Sequence, residues 1–329
     1  MTRPTPLLEV ISLKKYFPVG SALMPGKRSM VHAVDDVSFT LNKGETLSVV
    51  GESGCGKSTL GRTVLRLLDP TEGQVWFNGW RIDSMSTPQV RKLRRHFQVI
   101  FQDPFASLSP RMRVRDVIAE PLINFGIAMR RSDIDERVAD LLDKVRLPRD
   151  SMKRFPHEFS GGQRQRICIA RALAPSPSLI VCDEAVSALD VSVKAQIVNL
   201  LSDLQKELGL SLLFISHDLA VVEHLTHRVA VMYLGALVEI ADRKSLFSRP
   251  SHPYTRALLS ATPVPNSEAA SRRIVLRGEI PSPIDPPAGC RFHTRCPHAF
   301  DRCRTEVPAL RPRSSPGQLS ACHLDILPN

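Results

Sequence analysis

Gly51-Glu52-Ser53-Gly54-Cys55-Gly56-Lys57-Ser58-Thr59 is the stretch on which the fold turns. The apolar run Leu47–Val50 leads into it, and a helical stretch from Leu60 to Leu68 follows. A strand, glycines at G-x-x-x-x-G-K-[ST] spacing and a helix together make a phosphate-binding loop. The glycines let the backbone curl until several N–H groups face one point, and the helix N-terminus adds partial positive charge there. Lys57 is suited to neutralise β- and γ-phosphates, and Ser58 Oγ to ligate Mg²⁺. Cys55 reads as a small side chain that fits the loop rather than as a redox group.

Outward from this loop, Leu179–Cys182 and Leu212–Ile215 are two more apolar runs that pass directly into polar residues. In open parallel sheets, ligands collect beyond the carboxyl ends of such strands. Short β-rich segments alternate with helical patterns, so the fold class is α/β with a largely parallel sheet. Leu8–Ile11 and Val37–Leu41 read as strands flanking an inserted loop from Val19 to Met30. Ile197, Leu201, Leu204 and Leu208 recur at helical spacing within Val191–Leu208. Residues 103–165 are helix-prone, arginine-rich and broken by prolines, as expected of an inserted helical subdomain. After residue 250 prolines become frequent, and this marks a linker. The expected division is a nucleotide-binding domain over 1–250 and a small C-terminal module with four cysteines over 251–329.

The chain has 329 residues, of which 43% are hydrophobic and 5% aromatic, so its core is aliphatic. No apolar run approaches the roughly 20 residues of a membrane span. The first residues, Met1 to Pro6, lack the apolar stretch of a secretory signal, so a cytosolic, non-spanning chain is expected. A net charge of +11 fits a nucleic-acid partner, an anionic membrane surface or a solvated basic face. No stretch interleaves aromatic and basic residues as a base-stacking platform does, so nucleic acid is not expected. Seven cysteines in a cytosolic chain argue against a disulfide framework.

Phe159-Ser160-Gly161-Gly162-Gln163 precedes a helical run and resembles the signature motif of the ABC ATPase family, with Phe159 where leucine is usual. Ser160 and the N–H groups of Gly161 and Gly162 open a helix, which makes a second anion site. Leu179–Glu184 resembles the family's Walker B motif. The resemblance implies Mg²⁺ held by Asp183 and Ser58, with Glu184 as the base that polarises water. Ala185 stands where proline is common, so a less rigid turn is expected there. Ser187-Ala188-Leu189-Asp190 resembles the D-loop, which contacts the partner. His217 falls where the family places a γ-phosphate-sensing histidine, and Gln102 where it places the Q-loop glutamine that reaches Mg²⁺ and water. Tyr16 occupies the adenine-stacking position, although packing under the first sheet competes with that reading. The family places ATP between two subunits, the loop 51–59 of one facing Ser160, Gly161, Gly162 and Gln163 of the other.

Three further stretches narrow the resemblance: Gln102–Leu108, His252–Leu259 and Gly278–Pro283. With the loop 51–58 they look like the ATP-binding subunits of bacterial dipeptide/oligopeptide importers. That implies a sister ATPase, two transmembrane permeases, an extracytoplasmic binding protein and a peripheral place on the cytoplasmic face of the inner membrane. Nickel or another small solute as cargo, or a non-transport ABC role, are the alternatives. Cys290, Cys296, Cys303 and Cys322 lack the tight pairs of structural zinc sites. Chains resembling this one are associated with a [4Fe–4S] cluster here; zinc and unligated thiols are the other readings.

Overall fold

The computed structural model describes residues 5–19, 29–128, 130–261 and 274–328. Most of the expected loop between Val19 and Met30, and Pro263 and Pro265 of the expected linker, lie outside the described residues. Among the described residues the strands are β1 Leu8–Val19, β2 Ser29–Leu41, β3 Thr46–Val50, β4 Glu72–Phe77, β5 Trp80–Arg81, β6 Phe97–Ile100, β7 Leu179–Asp183, β8 Ser211–Ile215, β9 Arg228–Tyr233, β10 Ala236–Asp242, β11 Arg311–Pro312 and β12 Leu319–Ser320. The chain divides into two compact units. One comprises Met1–Thr40, Leu47–Asp83 and His217–Asn329, the other Leu41–Thr46 and Ser84–Ser216.

In the first unit one sheet has the order β2-β1-β4-β5. Leu8 faces Phe77 and Val10 faces Val75, and all four are buried. β1 and β2 outrun the short strands expected from alternation. The ladder of β1 passes a register irregularity after Ile11 and resumes at Lys14 opposite Glu72, where the ammonium and carboxylate meet at 2.7 Å. The charged, half-buried Lys14 and Lys15 hid that continuation in the sequence. The other layer has the order β11-β12-β10-β9-β3, with β3 parallel to β9 and the remaining pairs antiparallel.

β12 pairs with β10 so that Ser320 faces Glu239. Residues beyond 250 therefore lie in the same compact unit as the phosphate loop. The physical reason is burial: these residues complete an existing sheet and pack into its side chains instead of building their own core. Glu239 shows how tight the join is. Its buried carboxylate accepts hydrogen bonds from the Ser251 amide (2.8 Å), the His252 amide (3.0 Å) and Gln318 Nε2 (2.8 Å).

In the second unit β8, β7 and β6 are parallel, in that order. Every residue of β7 and β8 is buried, as their unbroken apolar runs require of strands covered on both faces. The helices Pro104–Ser107, Val114–Asn124 and Arg131–Lys144 precede the helices Gly161–Leu173 and Val191–Leu208. Asp103 starts the first by accepting from the amides of Phe105 (2.7 Å) and Ala106 (3.2 Å), with Pro104 at the first helical position. Gly209 ends the last in the left-handed conformation, φ 62°.

Candidate nucleotide-binding site

The sequence-marked residues fall into two sets, each described within its own unit. In the first unit, β3 runs into the loop and Lys57 opens the helix Lys57–Val64. Two glycines are forced. A Cβ on Gly51 would stand 2.1 Å from the Met232 carbonyl oxygen, and one on Gly56 1.9 Å from that of Ala33, where φ is also +103°. Lys57 is 4% exposed, and its ammonium donates to the carbonyls of Gly51 (2.9 Å) and Glu52 (2.8 Å). Ser58 and Thr59 are half-buried in the first turn of the helix, and Ser53 and Gly54 are exposed at the loop's tip. Burial raises the Cys55 thiol pKa, against the nearby Lys57 charge.

Glu52 is engaged twice. Its amide donates to Tyr254 Oη (2.8 Å), and its carboxylate takes a two-pronged bond from Arg295, at 2.7 Å and 3.1 Å. Tyr16 is half-buried, with its hydroxyl 2.5 Å from Asp35 Oδ1 and its ring 4.3 Å from that of His32. Asp35 also pairs with Arg291. Burial pushes the Asp35 carboxyl up, but the Tyr16 hydroxyl and the Arg291 guanidinium outweigh it and hold the carboxyl below the usual range. His217 is exposed.

In the second unit, β7 delivers Asp183, 3% exposed, at its carboxyl end. Glu184 follows with φ +51°, a conformation that costs a non-glycine residue about 1 kcal/mol or more. Three bonds hold this backbone. The Glu184 amide donates to the Ile215 carbonyl (3.0 Å), and the Glu184 carbonyl accepts from the amide (3.1 Å) and hydroxyl (2.9 Å) of Ser187. The turn expected to be loosened at Ala185 is thus tied across to β8, and Ala185 itself is buried. Ser160 caps the helix Gly161–Leu173 reciprocally with Gln163: Ser160 Oγ accepts from the Gln163 amide (3.4 Å) and Gln163 Oε1 from the Ser160 amide (3.0 Å). Gln102 is exposed between β6 and the helix that begins at Pro104. Asp190 is exposed at the start of Val191–Leu208.

The four C-terminal cysteines come together around one cavity. Cys290, Cys296, Cys303 and Cys322 line one cavity with His252, His293, His298 and His323, of only about 10 Å³. That is room for about one water molecule. Among the described residues no group of three or more His, Cys, Asp or Glu side chains is placed to hold a metal ion. Burial pushes the thiols of Cys290 and Cys296 up to about 11 and about 12. The described residues give no support to the expected iron–sulfur cluster, and no cofactor is assigned to these side chains.

The profile of the family "ABC transporter" matches residues 34–187, and that of "Oligopeptide/dipeptide transporter, C-terminal region" matches residues 238–303. "Probable peptide ABC transporter ATP-binding protein y4tS" of Sinorhizobium fredii is 55% identical over 97% of this chain and 90% of its own length. The chain belongs to the ABC transporter family. "Oligopeptide transport ATP-binding protein AppF" of Bacillus subtilis is 52% identical to this ABC ATPase over 97% of both chains. Among solved structures, the dimeric ATP-binding cassette MJ0796, in a post-hydrolysis state bound to ADP and Pi, matches with a TM-score of 0.64. It is 27% identical and covers 72% of this chain and 98% of its own.

Sequence reasoning on the ABC ATPase missed Arg291 and Arg295. They lie 256 and 243 residues from the partners they bind, and no local pattern marks such pairs. Tyr254 sat within a quoted stretch but carried no role; its neighbours give no sign that its hydroxyl reaches Glu52.

Proposed function

We propose that this chain hydrolyses ATP to power peptide uptake through an ABC importer, as a peripheral subunit on the cytoplasmic face of the membrane. The observation that carries this reading is the phosphate loop, with Lys57 buried at its centre. It occurs in a chain more than half identical to peptide-transport ATP-binding proteins along nearly its whole length.

Lys57 releases the carbonyls of Gly51 and Glu52 and turns to the β- and γ-phosphates, while the amides of the loop 51–59 cradle them. Tyr16 takes adenine. Ser58, Asp183 and Gln102 are the residues that hold Mg²⁺, which supplies charge neutralisation on the phosphates. Glu184 accepts the proton of the attacking water as the oxygen–γ-phosphorus bond forms and the bond to ADP breaks, and His217 orients the γ-phosphate. A sister ATPase presents its own serine–glycine helix tip to this nucleotide, and Ser160–Gln163 of this chain serve the sister's. Asp190 and Val191, the latter 84% exposed, face that partner.

No helix among the described residues is long and apolar enough to cross a membrane, so two permeases provide the path. Within the second unit a groove of about 760 Å³, lined by Pro88, Arg91, Phe101, Glu120, Pro121 and Phe125, supports permease docking beside Gln102. An extracytoplasmic binding protein delivers the peptide on the other side.

The test is reconstitution in vesicles with permeases, sister ATPase and binding protein. Peptide uptake depends on ATP, and Glu184→Gln stops turnover while ATP-bound pairs accumulate. Absence of ATP-driven peptide uptake refutes the function; unchanged turnover of the Glu184→Gln variant refutes the role of that carboxylate.

A further inference from the structure

The segment Cys290–Cys296 reaches both ends of the nucleotide site from one short turn. Arg295 grips the Glu52 carboxylate with both arms of its guanidinium, and the Arg295 side chain is 7% exposed. Arg291 pairs with Asp35 and also donates to the Leu234 carbonyl; Asp35 in turn holds the Tyr16 hydroxyl. Between the two arginines Phe292 is buried, its ring 5.3 Å from that of Tyr233, 5.4 Å from Tyr254 and 5.7 Å from His252. Tyr254 closes the circuit by accepting the Glu52 amide.

A loop with glycines at φ +155°, +79° and +103° has many conformations open to it. Holding its amides on one point therefore costs entropy at each binding event, unless something fixes the loop beforehand. A planar guanidinium paired two-pronged with a carboxylate fixes direction as well as distance, which an ammonium does not. The aromatic cage makes the turn that carries both arginines a rigid base.

We propose that Arg291 and Arg295 are positioning residues for the nucleotide site. Arg295 sets the phosphate loop through Glu52, and Arg291 sets the adenine platform through Asp35 and Tyr16. The proposal rests on the reading that the loop binds ATP and that Tyr16 meets adenine.

The experiment measures, by calorimetry on the full chain with Mg²⁺, the affinity for two probes: ATP and inorganic tripolyphosphate, which has no adenine. Wild-type protein that binds neither probe fails the nucleotide reading itself. Given wild-type binding, Arg295→Met weakens both probes about tenfold or more, equivalent to about 1.4 kcal/mol. Arg291→Met weakens ATP by a similar factor and leaves tripolyphosphate within about twofold. Glu52→Gln combined with Arg295→Met loses no more than the worse single change, because both remove one contact. Equal affinities for all variants overturn the proposal. So do variants that each weaken both probes alike, as a merely structural role requires. Should a methionine variant fail to fold, Arg295→Lys and Arg291→Lys keep the charge without the fork and face the same comparison. Wild-type affinities in both lysine variants then overturn the proposal.

Discussion

Gly162 sits at the second position of the helix Gly161–Leu173, and its missing side chain is spatially required. A Cβ there would stand 2.3 Å from Val193 Cγ1, where unstrained contacts begin at 3.4 Å. More than an ångström must be found, either by turning Val193, which is half-buried, or by lifting one helix tip from the other. Overpacking of this kind costs about 1–3 kcal/mol. Alanine's better helix propensity returns at most about 1 kcal/mol, and less in a first turn. Gly162→Ala is therefore destabilising by about 1–2 kcal/mol, which lowers the melting temperature by a few degrees, at roughly 2–4 °C per kcal/mol. ATPase activity of the assembled transporter falls further, because the Ser160–Gln163 cap rides on the displaced tip. Val193→Ala removes the obstructing methyl groups, at a cost of about 1 kcal/mol by itself. Gly162→Ala in that background then melts no lower than Val193→Ala alone. The reasoning is refuted if Gly162→Ala melts at or above wild type, or if its penalty is the same with and without Val193.

Gly161→Ala behaves differently. Its Cβ would make an ordinary 3.6 Å contact with Leu189, so the melting temperature holds while transporter ATPase drops as the added methyl enters the anion-facing tip. Lys57→Met abolishes measurable binding of both ATP and tripolyphosphate. It also strips a donor from the Gly51 and Glu52 carbonyls, so the melting curve shifts down by the equivalent of about 1–3 kcal/mol. His252 gives a pH prediction. Burial, with the Arg313 charge, pushes its pKa from 6.5 down to about 3, so below 6.5 the unfolded chain takes up a proton that the folded one refuses. Stability contributed by this residue is thus full above pH 6.5 and lost as pH falls toward 3, by up to about 1.4 kcal/mol per pH unit. His252→Asn keeps an acceptor for the Tyr254 amide and flattens that acid slope in urea titrations at pH 7, 6 and 5; an unchanged slope refutes the assignment.

The phosphate loop was legible because a triphosphate fixes the spacing of the groups that cradle it, and that spacing is written along the chain. The buried parallel strands were legible for a similar reason. Apolar runs covered on both faces have little freedom, and β7 and β8 extend the expected runs by single residues, Asp183 and Ser211. The helix Val191–Leu208 coincides with its periodicity. Where charges break the alternation, as at the half-buried Lys14 and Lys15 in β1, the strand continues because pairing with β4 outweighs local preference. The cysteines are a different case. Their spacing allows a ligand set and the four do share one cavity, but what that cavity holds depends on packing between distant segments. Arg295 on Glu52 is the same kind of fact, a contact between residues that neither neighbourhood announces.

The pairing of β12 with β10 bears on how the protein is made. A ribosome releases the glycine loop, Lys57 and the first sheet long before Arg295 and Leu319–Ser320 emerge. Domains emerging early normally fold early. Here the outer edge of β10 stays uncovered and Glu52 lacks the Arg295 fork until synthesis has run past residue 320.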